Sequence, residues 1–150
     1  MIVILNKELK YQELLSLAKA LIDTNVDDIA NMANISRLIM DSIPNHWVGF
    51  YRVVHNSLVL GPFNGPIACT VIEYGDGVCG TAWASKQTQV VADVHQFPGH
   101  IACSSATNSE IVVPCFRDGE VFAVLDIDSD SFNSFDKIDS KYLEELVSYL

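Results

Sequence analysis

Two apolar, β-branched runs, Ile111 to Phe116 and Val121 to Ile127, are joined at Arg117-Asp118-Gly119. They are the strongest strand signals in the chain, and so short a turn sets them side by side. Upstream, residues 7–22 carry Leu9, Leu14, Leu15, Ala18 and Leu21 at helical spacing. Residues 25–42 repeat it with Val26, Ile29, Ala30, Ala33, Leu38 and Ile39. Thr24 or Asn25 is the expected cap of this second helix, and Pro44 ends it. Trp47 to Val54 and Ser57 to Leu60 read as a hairpin about His55-Asn56, and Gly61 to Pro66 is turn chemistry. Ile67 to Ile72 is a third strand carrying Cys69. A turn at Gly75 to Gly80 opens a short helix at Thr81 to Ser85, and Thr88 to Val91 is a brief strand. Asp136 caps a last helix with an apolar stripe of Ile138, Tyr142, Leu143, Leu146 and Val147. Helices, a mostly antiparallel sheet and a final helix predict one α+β domain over residues 1–150.

The 150 residues suffice for a real core, and 49% apolar content excludes disorder. A net charge of −10 opposes non-specific binding to nucleic acid or an anionic membrane, which both need a basic face. No apolar run approaches the ~18 residues of a membrane span. Met1 to Leu5 has neither the length nor the flanks of a signal peptide. The expectation is a cytoplasmic protein, where thiols stay reduced. Its four cysteines are then metal ligands, catalytic thiols or buried filler rather than a permanent disulfide frame.

Cys103 lies in the irregular stretch 92–108, within Phe97-Pro-Gly-His-Ile-Ala-Cys103. A loop of ~15 residues is long for a compact domain and tends to be functional. With Cys69 and Cys79 on other turn-rich segments, it suits dithiol redox chemistry. Zinc fits less well, because the cysteines at 69, 79, 103 and 115 and the histidines at 46, 55, 95 and 100 lack the tight spacing of a structural site. Gly75-x-Gly-x-x-Gly80 matches a dinucleotide fingerprint by letter but has no parallel βαβ unit around it. A Cys103–His100 hydrolase pair has no support beyond proximity in sequence. Cys115, inside an apolar strand, reads as a buried inert thiol.

Strand alternation puts Asp126 and Asp128 on one face, and Glu110 opens the neighbouring strand. Three converging carboxyls would bind an amino group, or hold a proton if desolvation raises a pKa. Solvated strand-end charges are the plainer alternative.

Trp47-Val-Gly-Phe-Tyr51, Gly61-Pro-Phe63, Ala68-Cys69, Gly77-Val-Cys-Gly-Thr81, Gly99-His-Ile-Ala-Cys103, Ser109-Glu-Ile-Val-Val-Pro114 and Leu125-Asp-Ile-Asp128 occur in this order. The set resembles the free methionine-(R)-sulfoxide reductases, enzymes built on a GAF domain, over roughly residues 24–150. Cysteine spacings of 10 and 24 separate it from GAF sensor domains, the alternative reading as a small-molecule or redox switch.

The resemblance implies a single GAF domain that binds no cofactor and no metal. Cys103 would be the thiolate that attacks the sulfoxide sulfur, Cys69 the main resolving thiol and Cys79 an alternative. Thioredoxin or another dithiol would regenerate the enzyme. Trp47 and Tyr51 would wall the S-methyl group, a contact that suits sulfur against aromatic rings. Glu110 and Asp128 would protonate the sulfoxide oxygen, a poor leaving group otherwise. Asp126, with Asp128, would hold the ammonium of the free amino acid. Helices on the sheet face suggest a homodimer. Ser104 departs from the family's usual Asp beside the nucleophile, and His100 belongs to the motif as a loop-shaping residue.

Overall fold

The computed structural model describes residues 1–101 and 103–150; Ala102, part of the Gly99 to Cys103 motif, lies outside them. A six-stranded sheet runs in the order β3-β2-β1-β6-β5-β4. Its strands are β1 (Trp47–Val54), β2 (Ser57–Asn64), β3 (Val71–Glu73), β4 (Gln89–Val91), β5 (Ser109–Arg117) and β6 (Glu120–Ser129). Every pairing is antiparallel. Helices α1 (Ile2–Leu21), α2 (Asp28–Ser42), α3 (Gly77–Ser85) and α4 (Lys137–Val147) complete the α+β domain.

Two tight hairpins make the centre of the sheet. His55 and Asn56 both adopt positive φ between β1 and β2, as do Asp118 and Gly119 between β5 and β6. Such paired left-handed residues match the twist of the flanking strands. Alternation then sends two sets of side chains to opposite faces. Val48, Phe50, Ile111, Val113, Leu125 and Ile127 pack under α1, α2 and α4. Trp47, Tyr51, Val112 and Val124 face α3 with Val78, Cys79 and Ala82. Each fully buried Ile or Leu of such a core stabilises the fold by about 1.5–3 kcal/mol.

The helices on the first face are tied by polar contacts as well. Asp136 caps α4 by accepting from the amides of Ile138 and Asp139, and the Asp136 amide donates to the Asp139 carboxylate in return. Asp139 also accepts from Tyr11 and Lys7 of α1, each at 2.5 Å.

Several boundaries differ from the sequence reading. Asp27, not Thr24 or Asn25, caps α2 through the Ile29 amide, because the Asn25 amide turns back to Asp23. The stretch Gly61 to Asn64 continues β2 rather than turning. Gly61 and Pro62 sit where the β1–β2 register shifts between Gly49 and Tyr51, and such a bulge accommodates proline. The third strand is shorter than expected and leaves Cys69 on the loop before it. Helix α3 starts at Gly77, so Cys79 is helical. Gly75 and Gly80 close the turn before it: the Gly75 amide donates to the Gly80 carbonyl at 3.1 Å. A Cβ on Gly80 would sit 2.6 Å from the Glu73 carbonyl oxygen. These glycines therefore serve a turn in an antiparallel setting, not a dinucleotide.

Candidate active site

The α3 face of the sheet carries the site. Trp47 of β1 pairs with Asp128 of β6, which pairs in turn with Glu110 of β5. One row further, Gly49, Asp126 and Val112 lie side by side. Above this floor stand α3, the Cys69 loop and the Cys103 loop. Trp47, Tyr51, Cys79, Cys103, Glu110, Asp126 and Asp128 all line one pocket, with His100, Ser104 and Thr107. Every residue singled out from the sequence for chemistry is thus brought together, apart from Cys69, which reaches the pocket through its bond to Cys103.

Cys69 and Cys103 form a disulfide with their Cα atoms 5.4 Å apart, inside the span such a bond requires. Both residues are half-buried. Cys79 and Cys115 are free and buried. Cys115 lies on the opposite sheet face, where burial pushes its thiol up to about 12. That agrees with its reading as inert.

The aromatic pair does two things. Trp47 and Tyr51 stack at 6.0 Å, and Trp47 stacks on Phe63 at 5.3 Å. Trp47 Nε1 also donates to the Pro66 carbonyl at 3.0 Å, and the Tyr51 hydroxyl to the Cys69 carbonyl at 2.9 Å. The two side chains therefore anchor the loop that carries Cys69. Gly49 makes room for the indole: a Cβ there would come within 2.6 Å of Trp47 Cη2.

Glu110 and Asp126 are each 6% exposed, so water cannot solvate their charges. Desolvation first, then the neighbouring carboxylates, push Glu110 and Asp128 well above the usual carboxylate range. Burial also raises Asp126, and the neighbouring Glu110, Cys79 and Asp128 offset only part of that rise. All three carboxyls are thus harder to ionise than in water. Asp126 Oδ1 and Asp128 Oδ1 are buried without a hydrogen-bond partner among the described residues; a proton on either carboxyl would supply a donor. Cys79 Sγ and carboxylate oxygens of Glu110 and Asp126 lie within 4.8 Å of one another, a spacing that a cation could also use. No histidine joins that cluster.

Thr107 is a site residue that the sequence does not flag. It is 5% exposed, lines the pocket beside Asp128, and its hydroxyl lies 3.0 Å from His46 Nε2. A threonine in a polar loop carries no pattern that would reveal this. His100 presents a buried Nδ1 with no protein partner, and burial lowers its pKa below the ordinary histidine value. Ser104 Oγ accepts from the Ala106 amide at 3.3 Å, a bond that shapes the loop just after Cys103.

This architecture defines the class first: residues 29–150 match the GAF domain family. A free methionine-R-sulfoxide reductase of Escherichia coli strain K12 is 44% identical over 147 residues, covering 97% of this chain and 89% of that protein. GAF domain-containing protein A of Dictyostelium discoideum is 50% identical over 146 residues, covering 97% and 92%. The solved structure of free methionine-R-sulfoxide reductase from Neisseria meningitidis, in complex with its substrate, superposes with a TM-score of 0.90 at 47% identity. That match covers 93% of this chain and 84% of the other. The chain belongs to the free methionine-R-sulfoxide reductases, a family of oxidoreductases within the GAF domains.

Proposed function

We propose that this chain reduces free methionine (R)-sulfoxide to methionine, with Cys103 as nucleophile and Cys69 as resolving thiol. The observation that carries the reading is the Cys69–Cys103 disulfide beside a pocket floored by two buried carboxyls, Glu110 and Asp126, and a half-buried third, Asp128. The Cys103 thiolate attacks the sulfoxide sulfur while Glu110 or Asp128 delivers a proton to the oxygen. Methionine leaves, and the oxygen stays on Cys103 as a sulfenic acid. The Cys69 thiol then attacks that sulfur, releasing water and forming the disulfide. Thioredoxin, or another dithiol, exchanges with the disulfide and restores both thiols.

The direction of the pKa shifts supports this division of labour. Glu110 and Asp128 are both pushed well above the usual carboxylate range, the direction a general acid needs. Asp126 takes the substrate ammonium with Asp128 beside it, a charge that would favour the ionised carboxylate. That contact selects the free amino acid, since a residue within a protein chain offers an uncharged amide nitrogen instead. Trp47 and Tyr51 wall the methyl-sulfur end. The R preference follows the named activity of the relatives. Cys79 remains an alternative resolving thiol in this scheme, although its burial disfavours the thiolate.

No described helix is long and apolar enough to cross a membrane, which fits a cytoplasmic setting with thioredoxin at hand. Pairing of two chains is supported by Ile2, Val3, Ile4, Leu5 and Leu9, all exposed along α1.

The test is direct. Incubated with methionine (R)-sulfoxide and dithiothreitol, the protein should release methionine, the S epimer should not react, and Cys103→Ser should abolish the reaction. Turnover by Cys103→Ser equal to wild type would sink the mechanism.

A further inference from the structure

We infer that Cys79, Glu110 and Asp126 form a site for a zinc-like divalent cation, an exogenous ion that competes with substrate rather than a resident cofactor. The site itself is independent of the function proposed above. Only the competition rests on that reading, in which Asp126 and Glu110 serve the ammonium and the sulfoxide oxygen.

The three donors come from three elements: Cys79 from α3, Glu110 from β5 and Asp126 from β6. Glu110 pairs with Asp128 and Asp126 with Val112, so the two acids are diagonal neighbours on one sheet face. Helix α3 lays the Cys79 sulfur across them, and Sγ and one oxygen of each carboxyl lie within 4.8 Å of one another. Zinc holds sulfur at about 2.3 Å and carboxylate oxygen at about 2.0–2.2 Å, so side-chain movements of about 1 Å would close these donors on an ion. The spacing of structural zinc motifs is absent from the sequence because these donors meet only through tertiary packing.

A second observation is independent of that spacing. Asp126 is 6% exposed, lines the pocket, and its Oδ1 has no hydrogen-bond partner among the described residues. A buried oxygen without a donor calls for a proton or a cation. The cavity has a volume of about 40 Å³, and roughly 15 Å³ already accommodates a water.

The donor chemistry names the ion. A thiolate selects zinc-like ions over calcium and magnesium, which take oxygen ligands. Three protein donors leave one tetrahedral position for water. Binding releases the Cys79 proton and any that the carboxyls carry. Cys79 stays outside the Cys69–Cys103 disulfide, so the oxidised protein keeps the site, and the other free thiol, Cys115, lies on the opposite sheet face.

The test titrates oxidised protein with cobalt(II), whose thiolate-to-metal charge-transfer absorption reports a sulfur ligand. One equivalent should bind with that absorption, zinc should displace it, and calcium or magnesium at equal concentration should not. Cys79→Ser should abolish the absorption, and Cys115→Ser should leave it intact. Asp126→Asn should weaken binding about tenfold or more, since a ligand costs at least as much as an outer-shell partner. Thermal unfolding of each variant checks its fold. In phosphine-driven turnover, zinc should raise the KM for the sulfoxide, and Cys79→Ser should need about tenfold more zinc for the same rise. No charge-transfer absorption in wild type, its persistence in Cys79→Ser, or its loss in Cys115→Ser would overturn the site. Equal zinc inhibition of wild type and Cys79→Ser would put the inhibitory ion on another thiol and overturn the competition. Cobalt bound through Cys79 in a protein that never reduces the sulfoxide would sink the proposed function and leave the site standing.

Discussion

Glu110 and Asp128 stand directly opposite one another on β5 and β6, with Trp47 on the far side of Asp128 in the same row. Two carboxyls at such a pairing cannot both ionise cheaply out of water, so the row holds protons to higher pH than free carboxyls do.

That storage has a cost in stability that depends on pH. Because both folded pKa values are raised, the folded state keeps protons that the unfolded chain releases above about pH 4. Their contribution to stability is fully present below that range and is lost as pH rises through the folded values. Glu110→Gln cannot ionise, so its Tm should decline less than that of wild type between pH 4 and 8. Its turnover should fall by about a hundredfold or more. Parallel Tm profiles in the two proteins would mean that Glu110 does not hold the proton.

Cys69→Ser separates the two halves of the cycle. Reduced variant should release one methionine per chain and accumulate a sulfenic acid that a dimedone-type reagent captures. Steady-state turnover with thioredoxin should fall about tenfold or more. Undiminished cycling would assign resolution to another thiol.

Gly49→Ala tests the aromatic wall without touching any reactive atom. The new methyl meets Phe63 Cβ first and Trp47 Cη2 at 2.6 Å, so the β2 partner and the indole must both give way, displacing the ring that bonds the Pro66 carbonyl. Overpacking of this kind costs about 1–3 kcal/mol. Thermal unfolding should show that loss, and the KM for the sulfoxide should rise several-fold. An unchanged KM would mean that the ring's position is not used in binding.

Asp139→Ala probes the fold alone. It removes the acceptor of Tyr11 and Lys7 and half of the α4 capping box. Leaving the buried Tyr11 hydroxyl and the Lys7 ammonium without it should cost about 2–4 kcal/mol. Turnover per folded molecule at low temperature should match wild type. A denaturant titration and an active-site count would check both statements.

The sheet face of each site residue is readable from the sequence because strand alternation is local. Trp47 and Tyr51, and Asp126 and Asp128, share a face for that reason alone. The Asp136 cap of α4 is legible on the same grounds, since its partners are two and three residues away. What is not legible depends on long-range partners. The segment from Ile67 to Thr70 looks like strand by composition, yet the Pro66 and Cys69 carbonyls are taken by Trp47 and Tyr51 rather than by a neighbouring strand. Thr107 enters the site only because β5 and β6 bring Asp128 beneath it. Cys79 looks like a turn residue because Gly75, Gly77 and Gly80 surround it, and only the folded turn shows that they precede or sit within a helix.

The two aromatic donors on β1 also make the redox cycle one-sided. The Cys69 loop is fastened to the sheet through two main-chain carbonyls, contacts that do not depend on the oxidation state of any sulfur. On the Cys103 side, the His100 amide bonds Phe97 and the Cys103 amide bonds Ile101, both within the loop itself. In the proposed cycle, opening the disulfide would leave the Cys69 sulfur docked and free the Cys103 sulfur to move. The proposed resolving thiol would then wait at a fixed berth, and the travel needed to admit substrate and later to close the bond would fall to the Cys103 segment.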